Sequence, residues 1–353
     1  MIEIKTFNKN QLLKFIHSDD FNLMPILPIS KHRAISHIHN PRVFDDDILL
    51  LIAYEENNML GYLGVLPDTL QHIHVGWLSC IWVSPLARGK GIAKQMVLTA
   101  YEAYQHRILI TNYTPEAEKL YHKLGIFEEL TILHGVRFYR KMCLGKIVPQ
   151  RFPRWAKFSL VLKGFDFFAN LFVTPILKFT NKKLPADIQI YKLEKFTEQH
   201  QHFIELYQQS FFKRSSIELT WIKDYPWLKQ IDKKSNEAIR YHFSSEERKF
   251  ESTFFEVMCH NERIALIMIL YKNGHLRFPY IIYNKVYKTP LEQTLLHIIS
   301  KYNPYYITLF SDEFNLKVKA LYQKPIQRKY MKTRDIDINS IVLYDGDGDA
   351  AFT

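Results

Sequence analysis

Arg88, Gly89, Lys90 and Gly91 sit inside the run Val83 to Ala93, where a strand gives way to a glycine turn and then to a helix. Glycines at the mouth of a helix let the backbone turn so that its first free N–H groups and its positive dipole end converge on one point. Backbone arranged in this way cradles an anion, and a pyrophosphate suits it well. Other reactive side chains lie within forty residues. Tyr121 carries a phenol able to donate a proton, His72 and His74 can accept one, and Cys80 has a thiol. Taken singly, a strand or turn histidine and a buried strand cysteine are the ordinary readings of the last three.

The elements around these residues follow from local pattern. Trp77 to Val83 is apolar and rich in aromatic and β-branched types, as a buried strand should be, and Pro85 stops it. Ile92 to Gln105 repeats apolar residues at helical spacing. The first part of the chain reads as strand 1–7, helical segments within 9–38, and strands near 47–55, 60–66 and 75–84. Helix 91–105, strand 107–112, helix 115–124 and final strands to about 142 complete it.

Val83, Arg88, Gly91 and Ala93 also fit the spacing Val-x4-Arg-x2-Gly-x-Ala. This stretch resembles the acetyl-CoA signature of the GNAT acyltransferases. A second segment, with Asn112, Ala117, Leu120, Tyr121 and Gly125, stands at the distance the family expects. The resemblance implies an α/β (α+β) GNAT acyltransferase fold with a mixed central sheet. It implies acetyl-CoA as co-substrate, held by backbone around Ile81, Trp82 and Val83 and by the loop Arg88, Gly89, Lys90, Gly91, Ile92 and Ala93. Asn112 would end the next strand, Ala117 would lie beside the pantetheine, and Tyr121 would protonate the leaving thiolate. Many family members also place a glutamate on the strand before the signature. Gly76 to Trp82 has no acid, so the general base is left open.

The 353 residues allow two ordinary domains, and 47% hydrophobic with 14% aromatic content describes a globular chain. Three cysteines, Cys80, Cys143 and Cys259, make no disulfide framework and no metal-ligand spacing, so no metal is expected. The net charge of +11 fits an anionic co-substrate, but Lys and Arg are scattered and no nucleic-acid-binding motif is present. The N-terminus reads as a strand without a signal pattern, which makes cytoplasmic residence the default expectation.

From residue 188 the element order starts again: strand 188–196, helical segments within 197–231, and strands near 252–259, 263–271 and 275–284. A helix after Pro290, strand 305–310, helix 313–323 and strand 326–332 follow. Val83 to Tyr121 spans 38 positions and Tyr283 to Tyr322 spans 39, with Leu120-Tyr121 echoed by Leu321-Tyr322. The expectation is a tandem arrangement: a GNAT domain at 1–145, a linker helix region at 146–187, a diverged GNAT-like domain at 188–344, and a tail at 345–353. The second half has Asn284 to Pro290 where the first has its glycine turn, so no second cradle is expected. Phe158 to Phe179 is long and apolar but interrupted by Lys163, Asp166, Asn170 and Pro175. A linker helix packed between domains is the preferred reading, with membrane contact through 153–180 as the alternative and no transmembrane segment.

The functional expectation is an N-acetyltransferase in which a small-molecule or peptide amine attacks acetyl-CoA directly in a ternary complex, the protein being a monomer or homodimer. Transfer of a longer acyl or aminoacyl group is the alternative chemistry, and a non-catalytic acyl-CoA sensor the alternative class. The tail Asp345-Gly346-Asp347-Gly348-Asp349 has the start of a calcium loop but no twelfth-position glutamate. The architecture also resembles N-myristoyltransferase, a tandem GNAT-like enzyme whose terminal carboxylate acts as base. That resemblance implies a tail that folds back to supply the missing base.

Overall fold

In a computed structural model of the chain, residues 1–179, 184–311, 313–338 and 340–352 are described. The first part builds β1 (Ile2–Phe7), α1 (Lys9–Ile16), α2 (Asp19–Leu23), α3 (Lys31–Ile38), β2 (Leu50–Glu55), β3 (Asn58–Leu70), β4 (Ile73–Val83), α4 (Ile92–Ala103), β5 (Ile108–Thr111), α5 (Pro115–Leu124) and β6 (Phe127–Tyr139). Then come α6 (Leu144–Arg151), α7 (Ser159–Phe179), β7 (Ile188–Leu193), α8 (Glu198–Tyr207), α9 (Ser216–Asp224), β8 (Lys229–Gln230), α10 (Asn236–Arg240) and β9 (Glu246–Glu247). The last elements are β10 (Phe250–Cys259), β11 (Glu262–Lys272), β12 (His275–Arg277), β13 (Ile281–Tyr283), α11 (Lys288–Tyr302), β14 (Tyr306–Leu309) and β15 (Tyr322–Thr333). The mixed α/β character and the GNAT element order are as expected.

Contacts regroup the chain into two compact units that do not follow chain order. One gathers Met1–Leu133, Glu194–Phe250 and the chain from Arg328 onward; the other gathers His134–Leu193 and Glu251–Gln327. In the first unit β1, β2, β3 and β4 pair antiparallel in sequence, and β4 pairs parallel with β5. The strand on the far side of β5 comes from the C-terminal end of the chain: Tyr330, Met331 and Lys332 of β15 pair antiparallel with Thr111, Ile110 and Leu109. In the second unit β14 pairs with the end of β6, from Tyr306↔Tyr139 to Leu309↔Val136. In each unit the strand pairing is thus extended by a strand from the other half of the chain. Ile92, Met96, Val97 and Ala100 of α4 pack with Leu51, Leu63, Leu78 and Ile110 of the sheet, as the period of the helix requires.

Three expectations are corrected. Glu313 to Ala320 is not helical: Phe314, Leu316, Val318 and Ala320 join the core while the residues between them stay exposed. That is the period of an extended segment, not of a helix. Tyr322 accordingly opens β15, is 60% exposed and stacks on Tyr139, so it is no counterpart of Tyr121. The expected strand 275–284 is two short strands, with Phe278, Pro279 and Tyr280 between them, because proline cannot donate to a ladder. Finally, α7 forms, but its aromatic run is exposed where the preferred reading needed it packed: Phe165, Phe167 and Phe168 are 56%, 63% and 65% accessible.

Candidate active site

The glycine turn holds the geometry its sequence implies. Gly89 has φ +87° and Gly91 has φ +76°, and a Cβ at either would meet open space. Gly91 is the N-cap of α4, which has no side-chain cap and no acidic residue in its first turn. The first amides and the dipole of α4 are therefore not neutralised from within the helix. Beside them lies a cleft of about 350 Å³ lined by Val83, Ala87, Arg88, Gly89, Gly91, Ile92, Ala93 and Lys94, closed by Leu120, Lys123 and Leu124 of α5. Three cations and a helix N-terminus facing one open space make an anion site.

The remaining expected cofactor residues fall outside that lining. Ile81 and Trp82 are on the last residues of β4, Lys90 is turned to Glu55 at 2.8 Å, and Ala117 packs in the first turn of α5. Asn112, at φ +54°, follows β5. Tyr121 is buried on α5, edge-on to Tyr113 and Phe127. Burial raises its phenol well above the ordinary tyrosine range, so it stays protonated and able to donate.

Beyond the turn, β4 is broken in register. Tyr62 pairs with Trp82 but Gly64 pairs with Ser79, so Cys80 and Ile81 together oppose Leu63. That is a β-bulge, and Cys80 at φ +58° is its strained residue. The parallel pairing of β4 with β5 stops at Leu78↔Ile110, before β4 itself ends at Val83. The strands part there, leaving backbone polar groups unclaimed by the ladder.

That opening holds residues the sequence did not single out. Arg33 of α3 is buried with its guanidinium over the face of Trp227 at 3.8 Å. It donates to Ser79 Oγ and Tyr241 Oη, each at 2.8 Å, and to Cys80 Sγ. Gly64 permits this approach, since a Cβ there would stand 3.3 Å from Arg33 Nη2 and 2.9 Å from the Ser79 carbonyl. Ser79 in turn donates to Asp349 Oδ2 at 2.9 Å, and Asn112 Nδ2 reaches Asp349 Oδ1 at 3.4 Å. Asp349 thus spans the two parted strands while remaining partly open to solvent. Trp82 stacks on His242 at 4.3 Å and on Tyr62 at 5.5 Å, forming an aromatic wall.

The tail does fold back. Ala350, Ala351 and Phe352 are buried, and Phe352 stacks on Trp227 with ring centroids 4.8 Å apart. Asp345 pairs with Arg328 at 2.8 Å, and Asp347 accepts from Ser210 at 2.5 Å with Arg214 at 3.7 Å. Burial pushes the Asp347 carboxyl up to about 6. These partners give the Asp-Gly repeat an anchoring role in place of calcium ligation. The terminal carboxylate itself belongs to Thr353, outside the described residues. His74 is bound to Asp47 at 2.7 Å at the start of β4, and His72 is an exposed turn residue; both keep their ordinary readings. Asp187, Cys259 and His260 bring ligand-type atoms within 4.8 Å of one another, a grouping that cysteine spacing did not reveal.

A glycine-cradled helix start, a bulged β4 and two strands that part beside it define an acyltransferase fold of the GNAT type. Residues 16–126 match the model of the Acetyltransferase (GNAT) family, and that segment is a GNAT acetyltransferase domain. No curated protein matches the chain significantly. Among solved structures, a GCN5-related N-acetyltransferase from Anabaena variabilis ATCC 29413 is 11% identical, with 94% of this chain and 72% of that one covered and a TM-score of 0.50. A conserved protein of unknown function from Enterococcus faecalis V583, described as a probable N-acyltransferase, is 9% identical, with 95% and 72% covered and a TM-score of 0.51. At such identities the likeness is one of fold, and it runs well beyond the 111 residues of the family match.

Proposed function

We propose that the chain is an acetyl-CoA-dependent N-acyltransferase, built of two GNAT-like halves at 1–145 and 188–344, that transfers an acetyl group to a primary amine by direct attack in a ternary complex. The observation that carries the reading is the convergence of three elements in one unit. These are the uncapped α4 start, the β4 bulge, and a carboxylate, Asp349, at the parting of β4 and β5.

In this reading Arg88, Lys94, Lys123 and the amides from Gly89 to Ala93 hold the pyrophosphate. Ile81, Trp82 and Val83 run beside the pantetheine, and backbone freed by the bulge polarises the thioester carbonyl. The side chains of Asn112 and Ala117 flank the same path. Asp349 accepts the amine proton, directly or through a water, and so takes the place of the absent strand glutamate. Ser79 and Asn112 orient it, and Arg33 orients Ser79. The amine nitrogen attacks the carbonyl carbon, the C–S bond breaks, and the departing thiolate takes the Tyr121 proton. Trp82 and His242 flank the acceptor, with Tyr62 buried behind Trp82.

Acyl-CoA turnover with a panel of amines, read as thiol release, tests the reading. Within that assay Tyr121→Phe should lower kcat by about two orders of magnitude, the low end of the range for a lost general acid, with CoA affinity unchanged. An unchanged rate at every pH would show Tyr121 to be packing alone.

A further inference from the structure

The outward face of α7 has the opposite polarity from that of an ordinary surface helix. Leu160, Val161, Phe165, Phe167, Phe168, Leu171 and Phe172 are between 53% and 78% exposed. At 3.6 residues per turn they lie on one arc of roughly 160°, which holds no charged residue from Leu160 to Pro175. Asp166 and Asn170 of the helix are turned inward. The Asp166 carboxylate accepts from the amides of Leu144 and Gly145 at 2.8 Å each, and Asn170 exchanges two bonds of 2.9 Å with the backbone of Met142. Helices α6 and α7 are thus locked as a hairpin by the side that should have faced water. The apolar side is left outside, continued by Phe152, Trp155 and Phe158 at 53%, 51% and 44% exposure.

We infer that this face is a docking surface for an anionic lipid bilayer, on which α7 lies flat. Charge selects the occupant. Arg151, Arg154, Lys157 and Lys163 border the face, while Asp166, buried under α6, is the only acid between 144 and 179. A second copy would bring the same four cations against themselves in a two-fold contact, on a chain already carrying a net charge of +11. A phosphate-bearing surface complements them, and an exposed tryptophan with phenylalanines beside cations is the composition that settles at the boundary of headgroup and acyl chain. No helix among the described residues is long and apolar enough to cross a membrane, so the face rests on the bilayer.

The test is co-sedimentation of the full chain with phosphatidylcholine vesicles, with and without about 30 mol % phosphatidylglycerol, a typical anionic surface. The expected result is binding to the anionic vesicles that falls at least roughly tenfold when salt screens the surface. It should fall as far in F165S/F168S/F172S and in R151E/R154E/K157E. All three substituted phenylalanines are solvent-facing, so thermal unfolding and CoA binding should be unchanged, which separates this inference from the fate of the catalytic reading. Absence of binding to anionic vesicles overturns it, as does equal binding by wild type and both variants. A dimer in solution that the triple phenylalanine variant dissociates, without vesicle binding by the wild type, would assign the face to a second copy instead.

Discussion

Gly91→Val is expected to weaken CoA binding by at least roughly 100-fold while the fold survives. Gly91 has φ +76° at the N-cap of α4 with open space around its absent Cβ. The loss arises from the backbone and from the ligand side, not from a clash with protein. A β-branched residue in the left-handed region costs about 1–2 kcal/mol, and the turn relaxes by moving its amides away from the phosphate. Each charge-assisted hydrogen bond forfeited is worth about 1.5–3 kcal/mol. Two such bonds, about 3–6 kcal/mol together, exceed the 2.7 kcal/mol or so that separates a hundredfold in affinity. Isothermal calorimetry with CoA reads the affinity, and circular dichroism the fold. Unchanged affinity in a folded variant would remove the cradle from the site.

Asp349→Asn is expected to reduce kcat/KM by roughly two to three orders of magnitude, within the range of a general base. Asparagine keeps an acceptor for Ser79 and fits the same space, so the tail should stay docked through Phe352, Asp345 and Asp347. The rate that remains should climb with pH across the amine's own titration, because the acceptor must then arrive already deprotonated. Deleting Asp349 to Thr353 also strips Phe352 from Trp227 and Trp221, and should lower stability as well as rate. A pH profile of Asp349→Asn matching wild type would return the base to another group.

What the sequence made legible and what it concealed divide along contact range. The turn at Arg88–Ala93, the helices α4 and α5 and the strands before them depend on residues a few positions apart, and glycine placement with a 3.6 or 2 period announces them. The opening between β4 and β5 does not. Arg33 meets Tyr241 across 208 positions and Ser79 meets Asp349 across 270, distances over which no local pattern carries information. The exchanged strands β6 and β15 escaped for the same reason. Phe314 to Ala320 was legible and misread: its strict alternation is that of an extended chain, and the echo of Leu120-Tyr121 at Leu321-Tyr322 is coincidental. The tail stood out as apolar after an acidic-glycine stretch, yet its reactive group there is the Asp349 side chain, which nothing local distinguishes from Asp345 and Asp347.

Turnover decides between an enzyme and a sensor that only binds acyl-CoA. Purified full-length chain, incubated with acetyl-CoA and a panel of small amines, amino sugars and peptides, is assayed for free CoA thiol above the rate of spontaneous hydrolysis. Amine-dependent thiol release that Asp349→Asn and Tyr121→Phe both suppress, with CoA binding retained in each, is the predicted result. Tight CoA binding with no amine-dependent release, across acetyl and longer acyl donors alike, would contradict catalysis and leave the sensor.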